Sequence, residues 1–143
     1  MYLRKNKKGF TLIELMVVVA IIGILALLGL RLYTGQQEKA KNAIVKANAS
    51  TVHTLLQANL ADSTYADAAT AVAAITNHGL RNPYTSLDQE ITSDGGTEMP
   101  ESVTDKPGAI VVVQKKANAP EQYLVAGFDG EGKLLPEILT AQK

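Results

Sequence analysis

Phe10 to Leu30 is a run of 21 residues with a single charged side chain, the carboxylate of Glu14. An acid set among Leu, Ile and Val is costly to desolvate, so it is protonated, snorkels to water or finds a cation. No base lies within the run. A cationic partner then comes from a second protein, or from an amino terminus made by cutting the chain just upstream. The other chemically capable group is Gly127-Phe-Asp-Gly-Glu-Gly132-Lys133. Its G-x-x-x-x-G-K spacing is that of a phosphate-binding loop, but no Ser or Thr comes next to hold magnesium. Asp129 and Glu131 would also repel phosphate, and a strand comes after it where a helix is required. A glycine-rich hairpin turn is the better reading. The same two acids are weak candidates for calcium, a hard cation that takes carboxylate and carbonyl oxygens. His53 and His78 stand alone, outside any zinc-binding spacing. The chain has no cysteine, which removes thiol catalysis, thiolate metal sites and disulfides.

The elements that position these residues follow from charge and hydropathy. With 143 residues the chain is about one domain long, and its 14 bases balance 14 acids. That balance gives no sign of nucleic-acid binding. The bases are unevenly placed. Arg4, Lys5, Lys7 and Lys8 crowd residues 1–9, leaving ten bases against 14 acids in the remainder. As a helix, Phe10–Leu30 is roughly 30 Å long, about the thickness of a bilayer's hydrocarbon. It is apolar on every face, which points to a membrane span, with a buried core helix as the bland alternative. The basic flank places the N-terminus in the cytoplasm and the remainder outside. A cleaved signal peptide fits poorly. The run is too long, and Leu30-Arg31-Leu32-Tyr33 offers no small-x-small cleavage site.

Gln36 to Ala61 contains neither proline nor glycine. Ile44, Asn48, Val52, Leu55, Leu56 and Asn59 fall at helical spacing, while Glu38, Lys39, Lys41, Lys46, His53 and Gln57 occupy the other faces. This predicts an amphipathic continuation lying on a small domain. The whole helix, Phe10–Ala61, would be roughly 78 Å if straight, with Gly23, Gly29 and Gly35 as points where it could bend or melt. A short helix is expected within Tyr65–Asn77, with Gly79 as its terminator. Leu80–Pro107 reads as loop. Ala109–Lys116, Glu121–Phe128 and Lys133–Ile138 read as strands, separated by turns at Asn118-Ala119-Pro120 and Asp129–Gly132. The expected fold is α+β: a long N-terminal helix packed on a small antiparallel sheet of three or four strands. Asn48-Ala49-Ser50 is a formal glycosylation sequon, discounted because it lies within a helix. Lys115-Lys116 and the acid-rich 88–105 segment read as solvated faces.

The N-terminal residues then meet a family. Lys7-Lys8-Gly9-Phe10-Thr11-Leu12-Ile13-Glu14-Leu15 resembles the class III leader and signature of type IV prepilins and type II secretion pseudopilins. Gly79-Leu80-Arg81-Asn82-Pro83-Tyr84 is similar to connectors in several pilins and major pseudopilins. The resemblance implies a leader at 1–9, removed by prepilin peptidase between Gly9 and Phe10, with N-methylation of Phe10. It implies a span and filament core at 10–34 and a head at 35–143, with helix 35–61, αβ-loop 62–107 and sheet 108–143. Glu14 would pair with the Phe10 amine of a neighbouring copy. The implied protein is a structural pilus subunit and no enzyme, without cofactor. It is held in membrane lipid as a single-pass precursor and polymerised into an extracellular homopolymer by a platform protein and an assembly ATPase. A pseudopilin of a secretion or competence system is the alternative, and calcium at Asp129 and Glu131 would favour it. A membrane-anchored binding domain that never polymerises is the alternative of a different class. Two departures from the family stand out. Leu30-Arg31-Leu32 replaces the proline common near the membrane exit, and there is no disulfide to staple the C-terminal loop.

Overall fold

The computed structural model describes residues 9–62, 65, 67–75, 78–115 and 122–142. The elements are α1 (Leu12–Asp62), α2 (Ala68–Ala74), β1 (Ile91–Asp94), β2 (Ile110–Lys115), β3 (Gln122–Phe128) and β4 (Leu134–Gln142). The basic leader, Lys116 and the Asn118-Ala119-Pro120 turn lie outside the described residues. The chain divides into two compact units between Gln37 and Glu38.

In the first unit, α1 is one uninterrupted helix through Gly23, Gly29 and Gly35. Its helix-forming Leu and Ala offset three isolated glycines, each costing about 1 kcal/mol relative to Ala. Every large apolar side chain from Leu12 to Tyr33 is between 46% and 77% exposed. The bland alternative, a helix buried in the protein's own core, is therefore removed. α1 is long and apolar enough to cross a membrane.

In the second unit, α1 lays Val45, Ala49, Val52, Leu56 and Leu60 on the sheet, all buried. They meet Ala68, Ala71 and Ile75, Ile110 and Val112 of β2, Tyr123 and Val125 of β3, and Ala141 of β4. The opposite face of β2 is also covered. Val111 and Val113 pack with Phe128, Met99 and Val103. Burial on both sides explains why Ile110-Val-Val-Val113 is a continuous apolar run and does not alternate.

The sheet order is β1-β2-β3-β4. β2 pairs antiparallel to β3, and β3 antiparallel to β4. Here the structure departs from the expected all-antiparallel sheet. β1 is a fourth strand, parallel to β2 with Ile91 opposite Ile110, and it lies in the segment expected to be loop. Its one aliphatic residue gives little local strand signal; the pairing edge comes from β2. Parallel pairing requires a crossover, and residues 95–109 provide it while covering the second face of β2.

The buried stripe of α1 is likewise corrected. Val45, Ala49 and Leu60 are in it, whereas Ile44 and Leu55 lie outside at 47% and 36% exposure. Asn59 is only half-buried. β4 runs on to Gln142, beyond the expected Ile138. α2 is shorter than the segment allowed. Asp67 caps its N-terminus by accepting from Thr70 N, and the N–H of Ile75 closes its end on Val72 O. Gly79 has a left-handed φ of 64° but follows the helix at a distance.

Candidate functional site

The start of α1 is built around Thr11 and Glu14. Thr11 donates its backbone N–H (2.9 Å) and its hydroxyl (2.7 Å) to Oε2 of Glu14. The Glu14 N–H returns a bond to the Thr11 hydroxyl at 3.3 Å. This is a reciprocal capping box, Thr11-x-x-Glu14, which satisfies donors that a helix start leaves without partners. The carboxylate also sits at the positive end of the helix dipole. Both Thr11 bonds fall on Oε2, so Oε1 stays outside the cap. Phe10 is 85% exposed, and Gly9 has nothing within 4 Å of the position a Cβ would take. The bond between Gly9 and Phe10 is therefore sterically open. Sequence reasoning from the cost of a buried acid alone misses the cap, although its signature, Thr with Glu three residues later, is in plain view.

The other candidates serve the fold. Asp129 Oδ1 accepts from the N–H groups of Glu131 and Lys133, each at 2.9 Å, so its carboxylate closes its own turn. That turn leads into strand β4 and not into a helix, which does not suit a phosphate loop. Among the described residues, no group of three or more His, Asp or Glu side chains gathers as a metal cage would. His53 Nε2 lies 3.1 Å from Thr140 O, and Gln57 bonds the Gln142 carbonyl at 2.6 Å and its N–H at 3.2 Å. Residues four apart on a helix rise about 6 Å and residues two apart on a strand nearly 7 Å. His53 and Gln57 thus fasten the edge of β4 to α1. His78 Nδ1 accepts from Leu80 N at 3.2 Å.

The sequon asparagine is committed elsewhere. Asn48 is buried and donates to Arg81 O and to Gln89 Oε1, both at 2.9 Å. Gln89 passes the chain on to Gly108 O at 2.8 Å. These bonds pin the segment 80–89, whose Asn82 donates to Pro107 O and whose Tyr84 hydroxyl donates to Asn42. Lys41 sits over the Tyr84 ring, 5.2 Å from its centre. Burial pushes the Tyr84 phenol above its ordinary pKa. The acid-rich segment forms one ion pair among the described residues, Lys106 with Glu90, partly exposed. Lys115 is exposed, as a solvated face requires.

Residues 4–30 match the family described as the prokaryotic N-terminal methylation motif. Over 140 residues the chain is 30% identical to the type IV major fimbrial protein FimA of Dichelobacter nodosus, covering 96% of this chain and 83% of that protein. It is 36% identical over 80 residues to the type IV major pilin protein PilA of Myxococcus xanthus, covering 55% of this chain and 36% of that pilin. Over 36 residues it is 61% identical to the fimbrial protein EcpB of Eikenella corrodens, covering 25% of this chain and 23% of that protein. The match thus spans about a third of the Myxococcus pilin and a quarter of the Eikenella protein. No solved structure matches the chain. Taken with a long apolar N-terminal helix joined to a small α+β head, the relationship along nearly the whole chain means that this protein belongs to the type IV pilin family, whose members are structural subunits and not enzymes.

Proposed function

We propose that the chain is the structural subunit of a type IV pilus. The observation that carries this reading is the exposed apolar surface from Leu12 to Tyr33. A surface of that size does not persist in water and must be covered, first by lipid and then by copies of itself. The precursor lies in the cytoplasmic membrane with its basic leader inside and its head outside. Prepilin peptidase cuts between Gly9 and Phe10, and methylation leaves the new Phe10 amine cationic. Glu14 of one copy meets the Phe10 amine of the next through Oε1, while Thr11 holds Oε2. Such pairing removes the penalty of an isolated carboxylate and so selects the docked height of each incoming copy. As in the family the chain belongs to, a membrane platform protein and a cytoplasmic ATPase drive extraction. The finished fibre is extracellular.

Glu14→Gln tests the chemistry. Gln is a capping-box acceptor as well, so its oxygen retains both Thr11 bonds. Its amide NH2 then stands where Oε1 stood and presents donors to an ammonium. The expected result is a precursor that inserts, is cut after Gly9 and carries methylated Phe10 by mass spectrometry, yet yields few or no fibres by electron microscopy. Thr11→Val, which loses the hydroxyl but keeps the charge, retains more assembly. Normal fibre number and length with Glu14→Gln would refute the pairing. An intact N-terminus in the wild-type chain would refute the pilus reading itself.

A further inference from the structure

Asp-Gly occurs twice in the chain, at Asp94-Gly95 and at Asp129-Gly130, and the fold treats the two bonds differently. Glycine has no Cβ to shield its nitrogen, so that nitrogen can reach the carboxyl carbon of the aspartate before it and close a five-membered ring. Closure needs rotation about the aspartate Cα–C bond and access for water. At Asp129 that rotation is opposed. Oδ1 accepts from the N–H groups of Glu131 and Lys133, each at 2.9 Å. The Asp129 N–H donates to Lys133 O at 2.9 Å, and its carbonyl accepts from Gly108 at 2.9 Å and from Gly132 at 3.2 Å. A Cβ on Gly130 would lie 2.5 Å from Tyr84 Cε1, so that glycine backs onto the ring. At Asp94 the hold is slight. Its Oδ1 accepts from Gly96 N at 3.4 Å, longer than a good N–H···O bond. Gly95 and Gly96 are exposed, and nothing lies within 4 Å of the place a Cβ on Gly95 would take. Asp94 is the last residue of β1, opposite Val113, so the peptide that must turn stands at the end of the ladder. A cavity of about 160 Å³ opens beside Ser93, Asp94, Gly95, Gly96 and Gln114, more than enough to admit a water molecule.

We propose that Asp94-Gly95 is a self-modification site, at which the chain converts aspartate to isoaspartate with water as the co-reactant. Gly95 N forms a bond to Asp94 Cγ, and one carboxylate oxygen leaves as water, taking the amide proton and a proton from solvent. Water then adds to the ring. Opening at Cγ breaks the Cγ–N bond and restores aspartate. Opening at the main-chain carbonyl breaks the other C–N bond, so the chain continues through Cβ and Cγ and the former main-chain carbonyl becomes a carboxylate. The backbone thereby gains one carbon between residues 94 and 95. The position makes that change felt beyond the loop. Asp94 pairs with Val113, and residues 95–109 bring Met99 and Val103 onto Val111, Val113 and Phe128. In the product the last step of the β1–β2 ladder is lost and the crossover starts one atom further out. The proposal does not depend on the filament reading, since every group it uses lies in the second unit.

The full-length chain in detergent is aged at neutral pH in water enriched in heavy oxygen, then digested with trypsin in ordinary water. Lys115 and Lys116 place the two Asp-Gly bonds on separate peptides. Electron-transfer fragmentation tells isoaspartate from aspartate, and a heavy oxygen marks each passage through the ring. The expected result is isoaspartate forming at Asp94 about tenfold or more faster than at Asp129 in the folded chain, as for an open bond against one freed only by local opening. In urea the two rates converge, because unfolding removes the bonds that hold Asp129. Gly95→Ala, which adds a Cβ in open space, slows the reaction at Asp94 about tenfold and leaves the melting of the head in place. Similar rates at the two sites in the folded chain overturn the proposal, as does a difference that persists undiminished in urea. Ageing of Gly95→Ala as fast as wild type also overturns it.

Discussion

Asn48→Asp isolates the buried hydrogen bonds that tie α1 to the segment 80–89. Asn48 is 8% exposed, and its Nδ2 supplies one proton to Arg81 O and the other to Gln89 Oε1. Aspartate has nearly the same shape, so no cavity opens, but both donors become a carboxylate oxygen facing two acceptors. Orphaning a buried acceptor costs about 1–3 kcal/mol. Because Arg81 O lies at a part-buried contact, the loss for the pair is about 2–4 kcal/mol. For a unit the size of residues 38–143 this corresponds to a fall in Tm of about 8–16 °C. Near-UV circular dichroism of the full chain in detergent reads it, since Tyr65, Tyr84 and Tyr123 all lie in the second unit. Asn48→Ala should fall in the same range, and combining it with Gln89→Ala should cost less than the sum, because the two residues share a bond. If Asn48→Asp melts within about 2 °C of wild type, the network is not what holds the segment. The same bonds also keep the sequon closed, since Nδ2 cannot carry a sugar while it is donating inside the core.

A Cβ on Gly127 would lie 2.6 Å from Val45 Cγ1. Gly127→Ala should therefore destabilise by about 1–3 kcal/mol through overpacking, and Val45→Ala should recover part of that loss in the double variant, as a urea titration would show. Tyr84 supplies a pH test. Its phenol pKa is raised in the folded chain, chiefly by desolvation. The folded state thus holds that proton more tightly than the unfolded state. The contribution is complete below the ordinary phenol value near 10 and is lost as pH climbs through the raised folded value. Unfolding measured against pH should steepen above about 10. Tyr84→Phe, which cannot ionise, should remove that steepening; an unchanged slope would count against the assignment.

Much of the fold is legible wherever one residue type dominates a segment. The run Ile110–Val113 declares a strand because β-branched residues suit a pleat covered on both sides. The start of the chain declares a span because charge is absent from it but for one residue. Legibility fails where a partner supplies the signal. β1 is a strand only because β2 offers an edge to Ile91–Asp94, and nothing local in that segment competes with a loop. The segment 80–89 looks like loop because its order comes from Asn48, Gln89 and Asn82, side chains that reach across the chain. On α1 the apolar residues form two rows, and a 3.6-residue period read from composition merges them. Only packing separates Val45, Val52 and Leu56 from Ile44 and Leu55. At the candidate site, Glu14 is conspicuous by its cost, yet the partner it already has, Thr11, is found from capping chemistry and not from the membrane.

The two rows of α1 differ in burial. The inner row is spent on the head, where Val45, Val52, Leu56 and Leu60 are fully buried and the edge of β4 is fastened by His53 and Gln57. Ile44 and Leu55, on the outer row, add nothing to that core. Hydrophobic burial is non-directional, and the exposed span could by itself drive copies together in many arrangements. Order in a fibre needs terms that differ between correct and incorrect docking. Under the proposed function, pairing of the Glu14 carboxylate with a neighbouring copy's amine would be such a term, since it holds at one height only.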